Sequence, residues 1–151
     1  MNSSLSSVEP DTHTSPEETA SRAIVFFDGV CGLCNSTVDF LIARDRFNRL
    51  AYAPLQGETA DRLLSEDLRQ NLRTLVLRTE EGRQYVRSAA VVRMLWRLGG
   101  VWMMLAALLW VIPLPLRDLG YRLVSTWRYR LFGQRETCRL PTPEDADRML
   151  P

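Results

Sequence analysis

The sequence predicts an α/β fold, a βαβαββα core with additional C-terminal helices, on three observations. An uninterrupted apolar run, Ala23-Ile24-Val25-Phe26-Phe27, passes directly into a segment of helical periodicity. Two short stretches rich in β-branched and aromatic residues flank the turn Glu80-Glu81-Gly82 and read as a hairpin. From about residue 100 to 133 an uncharged apolar segment and an Arg-bearing segment with its apolar residues along one face read as additional helices. At 151 residues the chain suits one domain with a real core.

Residues 1–21 are rich in Ser, Thr, Pro and Glu, lack apolar periodicity and are expected to be a disordered tail. The domain is expected over 22–141, with a helical extension at about 100–133 and a C-terminal tail at 142–151. The run 23–27 reads as a buried strand ended by Asp28-Gly29. Val38, Leu41 and Ile42 recur at helical spacing in a helix from about Gly32 to Arg46. Leu50 to Ala53 is a second strand closed by Pro54, and Glu58 to Leu68 a helix. Thr74 to Arg78 and Gln84 to Val86 are the hairpin strands. Ser88 is expected to cap a helix carrying Val91, Met94, Leu95 and Leu98 and stopped by Gly99-Gly100. Val101 to Ile112 is an uncharged apolar helix ended by Pro113 and Pro115. Leu116 to Phe132 is an Arg-bearing helix with Leu116, Leu119, Leu123, Trp127 and Leu131 along one face.

Composition narrows the chemistry. The hydrophobic share of 46% and the charged share of 25% are ordinary, and the net charge of +1 favours no class of partner. All 19 basic residues are Arg, which excludes reactions needing a Schiff-base or P-loop Lys. The only His, His13, lies in the polar tail, away from any nucleophile. Three cysteines, Cys31, Cys34 and Cys138, are an odd number for a secreted disulfide scaffold. Residues 1–21 hold four acids and no apolar run, unlike a signal peptide, so a reducing cytoplasm is the expected location.

The chemistry-bearing stretch is Asp28-Gly29-Val30-Cys31-Gly32-Leu33-Cys34, a CxxC pair at a strand-to-helix turn. Gly29 permits a tight turn, and Cys31 falls at or just before the helix start, where unpaired amides and the helix dipole favour a thiolate. Cys34, three residues on, shares that side of the first turn. The expected reaction is thiol–disulfide exchange. Cys31 attacks a substrate disulfide and Cys34 displaces the product. The alternatives are half of a zinc site, completed by Cys138, Asp28 or His13, and two inert thiols. Asp28 has three readings: it caps the turn or helix, it is a general base for Cys34, or it is a phosphoaspartate nucleophile. The third lacks the second Asp, since position 30 is Val, and lacks a Lys partner. The candidate catalytic set is therefore Cys31, Cys34 and Asp28, with no cofactor and no metal.

These residues resemble the DCC thiol-disulfide oxidoreductase family, named for its Asp, Cys, Cys signature, matched here by Asp28, Cys31 and Cys34. Further matches are Ala53-Pro54-Leu55-Gln56, Arg87-Ser88-Ala89-Ala90-Val91, Ile112-Pro113 to Tyr121, and Arg128 to Gly133 with Cys138. The resemblance implies a thioredoxin-like fold and a redox activity on a disulfide-containing protein or small molecule, with an external thiol as electron donor. Two departures from thioredoxins stand out. Leu72-Arg73-Thr74 occupies the place of their cis-Pro, and Gly32-Leu33 replaces Gly-Pro between the cysteines.

Three secondary features remain. Cys138 is either a third redox thiol or simply packed. Six Arg against Asp118 and Glu136 lie between Arg117 and Arg139, with Tyr121, Trp127 and Tyr129 interleaved. A solvated helix face explains them without nucleic acid, and contact with RNA or anionic lipid is the other reading. The charge-free stretch from Leu98 to Leu116 is expected to be a helix buried against the domain. The competing view makes it a membrane-interface or partner-docking helix of a non-catalytic thioredoxin-like binding module.

Overall fold

A computed structural model describes residues 21–70, 75–132, 143 and 147–150. Expectations for the tail at 1–20, for His13, for the strand start at Thr74, for the stop at Gly133 and for Cys138 lie outside the described residues. The elements run β1 (Ala23–Phe27), α1 (Gly32–Arg44), β2 (Leu50–Pro54), α2 (Glu58–Leu63), α3 (Glu66–Gln70), β3 (Val76–Arg78), β4 (Gln84–Val86), α4 (Arg87–Leu98), α5 (Gly100–Val111) and α6 (Leu114–Phe132). The four strands form one mixed sheet in the order β2-β1-β3-β4. β1 pairs parallel with β2, with Val25 opposite Tyr52, and antiparallel with β3, with Val25 opposite Leu77. β3 and β4 close the predicted hairpin, with Leu77 opposite Tyr85. This is the α/β architecture expected from the sequence, a thioredoxin-like core followed by C-terminal helices.

β1 is buried on both faces, which is why it is apolar at every position. Val25 and Phe27 point into a cluster with Val38 and Leu41 of α1 and Ala90, Met94 and Leu95 of α4. Ile24 and Phe26 point the other way, onto Ala53, Leu55, Ala60 and Leu64. Helices therefore cover both sides of the sheet.

Local chemistry sets the boundaries. α1 stops at Arg44, two residues short of the predicted end, because Asp45 terminates it. The Asp45 carboxylate accepts the Arg49 and Leu50 N–H groups at 3.1 and 3.0 Å and turns the chain into β2. The helix expected over 58–68 is two short ones, broken where Leu64 adopts an extended backbone (φ −112°, ψ 149°). In the hairpin turn Gly82 takes φ +85°, a left-handed conformation that a side chain disfavours. Ser88 is not the cap of α4. The helix begins a residue earlier, after Val86, and Ser88 is buried inside its first turn.

Within the expected tail, residues 147–150 lie against the sheet. Tyr52 N–H donates to Arg148 O and Leu150 N–H to Tyr52 O, both at 2.8 Å, and Leu150 is buried beside the edge strand β2. Such cover hides an unpaired strand edge.

α5 departs most from expectation. A helix packed into the domain was predicted, yet Ala106 is its only buried residue. It rests on α1 through Trp102, which meets the Phe40 ring edge-on at 4.8 Å, while Arg44 stacks over Phe40 at 4.1 Å. Leu109 is also half-buried against the core, and most of the remaining apolar side chains face outward, as do those of α6. No single helix among the described residues is long and apolar enough to cross a membrane.

Candidate active site

The site stands at the C-terminal end of β1. Asp28 is buried, and its Oδ1 accepts the Val30 N–H at 3.2 Å, the side-chain-to-backbone turn that Asp makes readily. The Asp28 carbonyl accepts the Cys31 N–H at 3.2 Å and closes the same turn. Gln56, two residues past the end of β2, donates Nε2 to Asp28 Oδ1 at 3.0 Å and accepts the Gly29 N–H on Oε1 at 3.4 Å. Parallel pairing of β1 with β2 brings Gln56 there, and Leu55 N–H donating to Phe27 O at 2.8 Å extends that pairing past the strand ends. Of the readings of Asp28, capping of the turn has these hydrogen bonds behind it.

Cys31 is the N-cap of α1, in extended backbone at φ −80° and ψ 121°, and its Sγ accepts the Cys34 N–H at 3.5 Å. A side-chain acceptor at this position satisfies one of the helix's open amides, here with sulfur in place of the usual oxygen. Below it, Asn35 is fully buried, and its Nδ2 donates to Gly29 O at 2.9 Å and to Cys31 O at 2.8 Å. Asn35 thus ties the first turn of α1 back onto the loop.

The sequence reading makes Cys31 the attacking thiol, a role that needs access to substrate. In the structure Cys31 is 0% exposed, and Cys34 keeps partial exposure. Cys34 borders a cavity of about 340 Å³ walled by Leu33, Leu75, Val91, Leu109, Tyr121 and Val124. Ser88 and Arg117 supply polar groups to its lining. Ser88 Oγ donates to Asp118 and accepts Arg117 Nε at 3.1 Å, while Tyr121 Oη accepts the Leu75 N–H at 3.1 Å. These bonds hold the start of α6 against α4 and the sheet, and so shape the cavity.

The structure therefore brings Asp28, Cys31 and Cys34 together on one loop and helix start. Cys138 lies outside the described residues, and among the described residues no group of three His, Cys, Asp or Glu could hold a metal ion. Sequence reasoning gave no role to Asn35 or to Gln56. Asn35 carried a signal, an amide on the buried side of a helix one turn after its start. Gln56 carried one only through its place in the Ala53-Pro54-Leu55-Gln56 match to the family.

A thioredoxin-like sheet with two cysteines in the first helical turn after β1 defines the class: a protein built for chemistry at thiols. The match to a family model confirms it. Residues 25–134 match the model of the DCC1-like thiol-disulfide oxidoreductases, and the chain belongs to that family. It is similar to YuxK, an uncharacterised protein of Bacillus subtilis, with 36% identity over 129 residues, which cover 85% of this chain and 93% of YuxK. It is also similar to a chloroplastic DCC family protein of Arabidopsis thaliana, with 36% identity over 121 residues, 79% of this chain and 70% of that protein. No solved structure matches the chain significantly. Membership assigns a redox role at thiols in general terms.

Proposed function

We propose that this protein is a protein-disulfide reductase of the cytoplasm, working through a Cys31–Cys34 dithiol–disulfide couple with an external thiol as electron donor. The observation that carries the reading is the placement of both sulfurs in one helical turn, with the Cys34 amide facing Cys31 Sγ at 3.5 Å. The odd number of cysteines and the need for a thiol donor support a reducing compartment.

Accessibility favours the opposite order of events from the one the sequence suggests. Cys34, bordering the cavity, meets the substrate disulfide. Its thiolate attacks one sulfur, forming a mixed disulfide and expelling the other half of the substrate as a thiolate that takes up a proton. Cys31, deprotonated in turn, attacks Cys34 Sγ and expels the second half. The protein is left with a Cys31–Cys34 disulfide, and the substrate with two thiols. Two electrons have passed to it, and the external donor returns them. When that donor attacks the accessible Cys34 sulfur, Cys31 is the leaving thiolate, and the helix-start amide meets its charge.

The test is trapping. Cys31→Ser is expected to accumulate a mixed disulfide on Cys34, resolved by mass spectrometry of the trapped peptide. Cys34→Ser is expected to lose disulfide reduction by at least about a hundredfold, the scale of removing an essential nucleophile. Wild-type turnover in both variants excludes the couple. A mixed disulfide on Cys31 in Cys34→Ser retains the couple and restores the sequence-based order.

A further inference from the structure

We infer that α5 and the outer face of α6 form a membrane-docking surface that lies in the interface of an anionic lipid bilayer without crossing it. α5 has no charged residue in its 12 positions, and its exposed apolar side chains lie on more than one face. Val101, Met104, Leu108 and Val111 recur along one face, with Met104 71% and Val111 76% exposed. Trp110, at 70%, and Met103 stand beside it. A helix apolar all round belongs in a core or in lipid. This one is not in the core.

Neither helix alone is long and apolar enough to cross, and the sharp bend between them argues for a surface position over a span. Twelve residues rise only about 18 Å, against about 30 Å of hydrocarbon. At Ile112-Pro113 the chain then bends by 113° into α6. α6 continues the apolar surface with Leu116, Leu119, Leu123, Trp127 and Leu131, all more than half exposed.

Charge and composition select lipid as the occupant. From residue 98 to residue 132 the charged residues are Arg117, Arg122, Arg128 and Arg130 against Asp118 alone, and Arg122 and Arg130 are exposed. This excess complements anionic headgroups. All four Trp of the chain lie in α4, α5 and α6, and Trp96, Trp110 and Trp127 are exposed, in keeping with the preference of indole for the headgroup level. A second copy of the chain suits the face less well, because a two-fold contact pairs this Arg-rich patch with an identical one, and Asp118 is the single acid between residues 98 and 132 to answer it. The proposal does not depend on the exchange chemistry.

Flotation of the full-length protein tests it, with vesicles of equimolar phosphatidylglycerol and phosphatidylcholine, and of phosphatidylcholine alone. The wild type is expected to float with the anionic vesicles, with a blue shift of Trp emission and weaker binding at high salt. The exposed double substitution Leu108→Glu/Val111→Glu is expected to weaken binding about tenfold or more while the circular dichroism spectrum stays unchanged. Arg122→Glu/Arg130→Glu is expected to remove the preference for anionic vesicles. The inference is overturned if the wild type stays in the aqueous fraction with both vesicle types, or if the double Glu variant floats as the wild type does. It is overturned equally if sedimentation velocity shows a dimer that Leu108→Glu/Val111→Glu dissolves and that ignores vesicles.

Discussion

The sheet domain from Ala23 to Leu98 and the helical pair α5–α6 are both rich in apolar side chains, and they dispose of them in opposite ways. In the first, Phe26, Phe27, Tyr52 and Leu77 have almost no exposed surface. In the second, Met104, Leu108, Trp110, Leu119 and Leu131 stand in the open. Apolar content therefore does not by itself say where a segment is stable. Strands β1 to β4 present two faces, and helices cover both. α5 offers an apolar surface all round, of which one side only meets the domain, and the remainder is left uncovered by the described residues.

This contrast can be broken most directly by paired substitutions. Phe26→Ala empties a fully buried site and is expected to cost about 3–5 kcal/mol in denaturant unfolding. Leu108→Ser on exposed α5 is expected to stay within about 0.5 kcal/mol of wild type in water. A large loss at Leu108 means that α5 is buried in solution, contrary to the geometry described above.

A smaller effect sharpens the comparison at the junction of core and site. Asn35→Ala removes two buried donors, from Gly29 O and from Cys31 O, and is expected to cost about 1–3 kcal/mol. The lower end is favoured, because Asn35 Oδ1 is itself buried with no hydrogen-bond partner among the described residues. Hydrogen exchange of the first turn of α1 should quicken in this variant, while the amides of α5 are unchanged. Equal changes in both would mean that the two regions open as one unit.

The smallest effect is electrostatic. Glu80, in the hairpin turn, receives both Arg97 terminal nitrogens at 2.7 and 2.8 Å and ties the hairpin to the end of α4. Burial pushes its carboxyl up, but the Arg97 hydrogen bonds and charge outweigh this and hold it below its ordinary 4.5. A carboxyl lowered on folding stabilises the native state above its unfolded pKa, and that contribution is lost as pH falls through the folded value. Glu80→Gln is therefore expected to cost less than about 1 kcal/mol at neutral pH, since the pair is partly solvated. The deficit should close below pH 4.5. A deficit that grows in acid reverses the assignment.

What the sequence determined by itself is local. The apolar run 23–27, the hairpin about Gly82, the helix beginning at Gly32 and the position of Cys31 at its cap all follow from neighbouring residues and short-range backbone rules. The cysteine pair was legible because its spacing and its place after a strand are properties of a few consecutive positions. The tertiary structure alone decided which sulfur is accessible, since the elements packed around each cysteine set its exposure and lie far off in the chain. It likewise decided that Ser88 binds Asp118 and Arg117 instead of capping α4, that residues 147–150 return to β2, and that Gln56 reaches Asp28. The exposure of α5 belongs to the same class. Hydrophobicity states that a segment avoids water, but only the arrangement of the other elements determines whether the protein itself covers it.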